Sequence, residues 1–184
     1  TIIKKIPGVK KLFLLCCFLI FLSGTSELLA IIRLPPIMSS NMVLQQNTLA
    51  TLWGWANPSE RFVIISSWKT TVDTVIAFNT GKWKAKISTP AAGGPYTITI
   101  KGRMNTIVLN NVLIGEVWLC SGQSNMEMSN TQQTKDEGTN SNNDNIRFFT
   151  VAKKTSEYPQ DHCEGEWVSC NEETLKRFSA AGYF

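Results

Sequence analysis

Residues 31–111 are composed of short stretches rich in β-branched and aromatic residues, separated by turn residues, and this pattern constrains the fold more than any other feature of the chain. Leu49-Ala-Thr-Leu-Trp-Gly-Trp55, Arg61-Phe-Val-Ile-Ile65 and Thr71-Val-Asp-Thr-Val-Ile-Ala-Phe78 have strand composition. Trp83-Lys-Ala-Lys-Ile87 and Tyr96-Thr-Ile-Thr-Ile100 alternate apolar with polar. Asn57-Pro58-Ser59, Asn79-Thr80-Gly81 and the Gly-Pro-rich segment 90–95 supply the turns. No helical period competes, so the expectation is a small antiparallel β-sandwich over residues 31–111. Trp53 and Trp55 lie two apart and share a face; they, Trp68 and Trp83 are assigned to the sandwich core rather than to a sugar-stacking surface.

The character changes after Asn110-Asn111. Val112-Leu-Ile-Gly-Glu-Val-Trp-Leu-Cys120 is almost continuously apolar, as a strand buried on both faces would be, and such strands belong to parallel sheets covered by helices. A second, α/β domain is therefore expected over residues 112–184. Residues 129–145 are nearly all polar, as in an exposed loop or a frayed helix, and Ile146-Arg-Phe-Phe-Thr-Val151 reads as another strand. A doubly wound sheet needs several βαβ units, so this second domain is expected to be truncated, and Thr1 suggests a fragment at the other end too.

Residues 1–30 carry Lys4, Lys5, Lys10 and Lys11, then eleven apolar residues from Leu12 to Leu22, then Ser23-Gly-Thr-Ser26. This order is that of a secretory signal peptide. As a helix the apolar run reaches only about 16 Å, roughly half a bilayer core, which disfavours a stable membrane anchor. Export, to a secreted or periplasmic location, is the expectation. Setting those four lysines aside leaves 14 of the 18 basic residues against 14 acidic ones, so the remaining chain has no net charge to attract nucleic acid.

Five cysteines and one histidine offer little for metal chemistry, since no paired CxxC occurs, and neither metal nor cofactor is expected. Cys16 and Cys17 fall in the leader. The spacing of Cys163 and Cys170 permits a local disulfide in an exported protein, and Cys120 is expected to be a buried thiol.

The stretch that carries chemistry is Gly115-Glu-Val-Trp-Leu-Cys-Ser-Gly-Gln-Ser-Asn-Met-Glu-Met128. A strand, a tight turn and Ser124 at a helix start would place a hydroxyl at the carboxyl edge of a sheet, beside backbone N–H groups able to bind an oxyanion. Alone, a Gly-x-Ser after a strand usually means a helix cap. Met126 stands where the α/β-hydrolase elbow needs its second glycine, which excludes that signature. Glu116 and Glu127 flank different elements and are assigned surface or helix-start roles rather than paired acid–base chemistry.

This block closely resembles the signature of the sialate O-acetylesterase family, whose catalytic domain is of the SGNH-hydrolase type. The resemblance extends to Leu34-Pro-Pro-Ile-Met-Ser-Ser-Asn-Met-Val-Leu-Gln-Gln46, Trp53-Gly-Trp-Ala-Asn-Pro58, Gly81-Lys-Trp83, Ala92-Gly-Gly-Pro-Tyr-Thr-Ile98 and Phe178-Ser-Ala-Ala-Gly-Tyr-Phe184. It implies an α/β/α catalytic domain with a parallel sheet, Ser124 as nucleophile, and an acetyl-enzyme intermediate that water hydrolyses. Gln123 and Asn125 flank that serine and are read either as holding the turn and supporting the oxyanion or substrate, or as simply capping the helix; an O-acetylated sugar or glycan would be the partner.

The family's Asp-x-x-His block is not present. His162 follows Asp161 directly, without that spacing, and is read as a solvated loop residue rather than the base. These 184 residues alone are therefore expected to be inactive. Two alternatives stay open: an acetylesterase for xylan or another polysaccharide, and a non-catalytic carbohydrate-binding fragment.

Overall fold

The computed structural model describes residues 31–129 and 142–183. The expected signal peptide over residues 1–30 and most of the polar stretch after Ser129 lie outside the described residues. The strands are β1 (Val43–Gln45), β2 (Leu49–Trp55), β3 (Arg61–Ser66), β4 (Val72–Ile76), β5 (Lys82–Ser88), β6 (Gly93–Lys101) and β7 (Thr106–Gly115). One sheet has the order β1-β7-β6-β3-β4 and the other pairs β2 with β5. The first sheet is mixed rather than purely antiparallel, because β1 runs parallel to the end of β7, with Val43 opposite Leu113 and Gln45 opposite Gly115.

Between the sheets lies one apolar core that includes Leu52, Phe62, Ile64, Trp83, Ile87, Ile98, Ile100 and Val112. Burial of each large aliphatic or aromatic side chain contributes about 1.5–3 kcal/mol, which sets the register of every strand that presents one. In β2 the buried residues are Ala50, Leu52 and Gly54, opposite Ile87, Ala85 and Trp83 of β5. Trp53 and Trp55 do share a face, but it is the opposite one: both are only half-buried, and the Arg33 guanidinium stands 6.0 Å from the Trp55 ring centre. Only Trp83 among the four tryptophans is fully interior; Trp53 and Trp68 pack at the margin of the core.

Gly54 is required by close approach. A Cβ there would stand 2.2 Å from the Arg33 carbonyl oxygen and 3.1 Å from the Trp83 ring. Arg33 and Trp55 exchange backbone hydrogen bonds of 2.8 and 2.9 Å, so the obstructing oxygen cannot retreat without breaking that bridge. Gly54→Ala is expected to destabilise the chain by about 1–3 kcal/mol through overpacking, read as a lower urea midpoint. An unchanged midpoint would show that the bridge moves freely.

The expected buried strand over 112–120 is not formed as such. β7 continues through 112 to Gly115 as part of the β-sheet. Asn111 (φ 56°) bulges the strand, two residues of β7 standing against Thr97 between the Tyr96–Val112 and Ile98–Leu109 pairs. Val112 and Ile114 are interior because β6 and β1 flank that end of β7. Beyond Gly115 the run loses those neighbours: Trp118 is 82% and Leu119 95% exposed. Apolar composition marked the segment, but partners on both sides are what bury a strand.

After the polar stretch, β8 (Asn143–Phe149) pairs antiparallel with β9 (Trp167–Cys170), followed by the short helices α2 (Glu172–Arg177) and α3 (Ala180–Tyr183). Asn171 caps α2 in a reciprocal capping box with Thr174, and acidic residues open the helix while Lys176 and Arg177 close it, matching the macrodipole. A second core of Phe148, Cys170 and Leu175 joins these elements, with Phe148 stacked 4.1 Å from Phe178. The unit docks on the β-domain where the Trp167 indole donates to the Ile37 carbonyl (2.8 Å) and Arg147 reaches Asn111. Cys163 and Cys170 are separate thiols, and burial pushes that of Cys170 up in pKa. Cys120 is exposed rather than buried, since it follows the uncovered run.

Candidate active site

The segment between β7 and Ser124 leaves the sheet under restraint. Glu116, the first residue past β7, accepts from Gln45 Nε2 (2.9 Å) and Gln46 Nε2 (2.6 Å). Gln45 Oε1 in turn accepts from the Val117 backbone N–H, and Gln46 Oε1 from that of Ala92, both at 2.9 Å. Gln45, which ends β1, and Gln46 just beyond it thus clasp the exit of β7.

These bonds hold the Glu116 carboxyl below the usual glutamate range, Gln45 contributing most and Gln46 next. A carboxyl lowered by folding contributes to stability above its unfolded pKa, and that contribution fades as the pH falls through the folded value, so the clasp is closed at neutral pH and loosens in acid. In an NMR titration Glu116 is expected to titrate below a free glutamate, and Gln45→Ala to move its midpoint upward. Identical midpoints in the two proteins would dissolve the clasp.

Ser124 begins α1 (Ser124–Glu127), a single turn whose N-cap is Gln123 and which has no side-chain cap bond and no buried residue. So short a helix does not hold itself, and its placement comes from contacts elsewhere. Those contacts come from the segment 178–183. Ser179 Oγ donates to Met126 Sδ (3.1 Å) and accepts from the Gly182 N–H (3.1 Å), while the Ala180 N–H donates to the Met128 carbonyl (2.9 Å). Gly182 is tightly enclosed: a Cβ there would meet Phe178 at 3.2 Å and Cys120 and Ser179 at 3.4 Å. The structure thus brings together the two stretches that resemble the family's nucleophile block and its Phe-Ser-Ala segment, some fifty residues apart in sequence.

Ser124, Gln123 and Asn125 are all exposed, and among the described residues the Ser124 hydroxyl has no hydrogen-bond partner. Glu127 pairs with Lys153 (2.6 Å), an exposed contact worth about 0–1 kcal/mol. Glu116 and Glu127 therefore have separate partners. Asp161 is ion-paired with Lys82 of β5, and His162 is exposed on the adjoining loop beside Glu164. A cleft of about 450 Å³ is lined by Phe148, Gly165, Arg177 and Phe178 among others, and Ser124 does not line it. No group of three His, Cys, Asp or Glu among the described residues is placed to hold a metal ion.

Sequence reasoning missed Ser179 and the Gln45–Gln46 clasp. Both lie in stretches that carry the family resemblance, but nothing local to either stretch indicates what its side chains touch.

The fold has a counterpart among carbohydrate acetylesterases. It is similar to the crystal structure of a carbohydrate acetylesterase from Xanthomonas citri, with a TM-score of 0.76 and 32% identity, over 83% of this chain and 36% of that one. Sequence comparison is more particular: the chain is 29% identical over 141 residues to the sialate O-acetylesterase of Mus musculus, and 26% identical over 154 residues to that of Rattus norvegicus. These alignments cover 70% and 77% of this chain but 26% and 28% of the relatives, so the chain spans about a quarter of their length. No family model matches. The resemblance to the sialate O-acetylesterase family is supported by both comparisons.

Proposed function

We propose that this chain is the nucleophile-bearing part of an exported carbohydrate O-acetylesterase, in which the β-domain precedes an SGNH-type α/β/α domain. The observation that carries the reading is the presentation of Ser124: its exposed, uncommitted hydroxyl sits on a one-turn helix held at the clasped exit of β7 on one side and by Ser179 on the other. The esterase relatives support the reaction class.

In this mechanism Ser124 Oγ attacks the acetyl carbonyl carbon while a base takes its proton. The tetrahedral oxyanion is stabilised by backbone N–H groups, that of Ser124 among them, with Gln123 and Asn125 as supports. Collapse expels the sugar hydroxyl as leaving group, and water then cleaves the acetyl-enzyme to release acetate. The base and its carboxylate are assigned to residues outside these 184, and His162 is not given that role.

The experiment is acetate release by the full-length protein from O-acetylated sialic acid and from acetylated xylan. Release from the first supports the sialate reading. Release from xylan alone moves the substrate to plant polysaccharide, and release from neither overturns the carbohydrate esterase.

A further inference from the structure

The outer face of the β2–β5 pair sets positive charge beside half-buried aromatic side chains in a way that the proposed chemistry does not use. Alternation in Lys82-Trp-Lys-Ala-Lys86 sends Trp83 into the core and leaves Lys82, Lys84 and Lys86 exposed on the other side. Their cross-strand partners on that face are Trp55, Trp53 and Thr51 respectively, and Arg33 extends the row beyond Trp55. Alternate residues on a strand are about 6.6 Å apart, so the three ammonium groups form a ladder beside two half-buried indoles.

Four cations thus face outward on strands that contribute no carboxylate to this side. The single acid ion-paired to the face among the described residues is Asp161, on Lys82. Among the described residues, Arg33, Lys84 and Lys86 make no ion pair. In a chain whose charges balance once the leader lysines are set aside, this is a segregation of charge. Lysines alone would serve to keep an exposed strand from pairing with another chain, but that need does not account for indoles set between them.

We propose that this face binds a carboxylated glycan, the indole faces stacking on sugar rings and the cations pairing with carboxylates. The inference goes beyond the esterase reading and does not rest on it.

The test is calorimetric titration of this chain with polysialic acid, polygalacturonate, neutral dextran and single-stranded DNA, at low and at high salt. Binding to one or both carboxylated glycans is expected, weakening with salt. The Lys84→Ala/Lys86→Ala double variant is expected to lose about tenfold in affinity at unchanged melting temperature, since two exposed ion pairs are removed. Trp55→Ala is expected to weaken binding without changing its salt dependence. Preference between the two carboxylated glycans identifies a sialic-acid or a uronic-acid source. Absence of binding, unchanged affinity in the double variant, or equal affinity for dextran or DNA would each overturn the proposal.

Discussion

Under the proposed mechanism, Ser124→Ala in the full-length protein is expected to lower acetate release by roughly 10⁴-fold or more, because loss of a serine nucleophile removes the covalent path and leaves only binding and oxyanion stabilisation. The substitution takes away one exposed oxygen atom that makes no hydrogen bond among the described residues, so folding stability should be unchanged within about 0.5 kcal/mol. The two readouts together are diagnostic. Activity lost with the melting curve intact assigns Ser124 to chemistry, whereas activity retained would return it to the role of a helix-start residue and remove the esterase mechanism. Ser124→Cys makes a useful companion, since a thiol can still form an acyl-enzyme and would retain a trace of turnover that alanine lacks.

The second large effect concerns the fold. Trp83→Ala is expected to cost about 3–5 kcal/mol, the range for emptying an aromatic site in a packed core. Trp83 is 1% exposed, meets Phe62 edge-on at 5.1 Å between ring centres, and lies against Gly54 across the sheet. A small domain holds about 5–15 kcal/mol in total, so this one change removes a large share of its stability. Urea unfolding of this chain measures it. Trp55→Ala, on the outer face, is the control and should cost far less. A loss below about 1 kcal/mol for Trp83 would mean that the surrounding side chains collapse into the space.

The strands of residues 49–101 were legible because one face of each is buried, and a period of two in apolar residues is the local record of that burial. Trp83 could be placed in the core from the alternation of its own strand. Trp55 could not, because two tryptophans sharing a face say nothing about which face meets the other sheet; Gly54, tucked beneath Trp83 and against the Arg33 carbonyl, decides it. The run 112–120 shows the converse error. Its composition suggested one buried strand, yet only Val112, Leu113 and Ile114 are covered, by β1 and β6, while Trp118 and Leu119 are not.

Ser124 was singled out as candidate nucleophile because its flanking residues resemble a family signature over many positions, and the parallel resemblance of residues 34–46 and 178–184 was visible in the same way. What the sequence alone determined about this protein is therefore its pattern of strands and its charge balance, and it singled out the serine on which the proposed chemistry rests. Only the tertiary structure decided that Gln45 and Gln46 grip Glu116, that Ser179 holds Met126, and that Lys82, Lys84 and Lys86 share a face with Trp53 and Trp55. The reason is physical: periodicity records which side of an element is buried, whereas a hydrogen bond or a cross-strand pair between residues far apart in the chain depends on register and docking, which no local stretch of sequence contains.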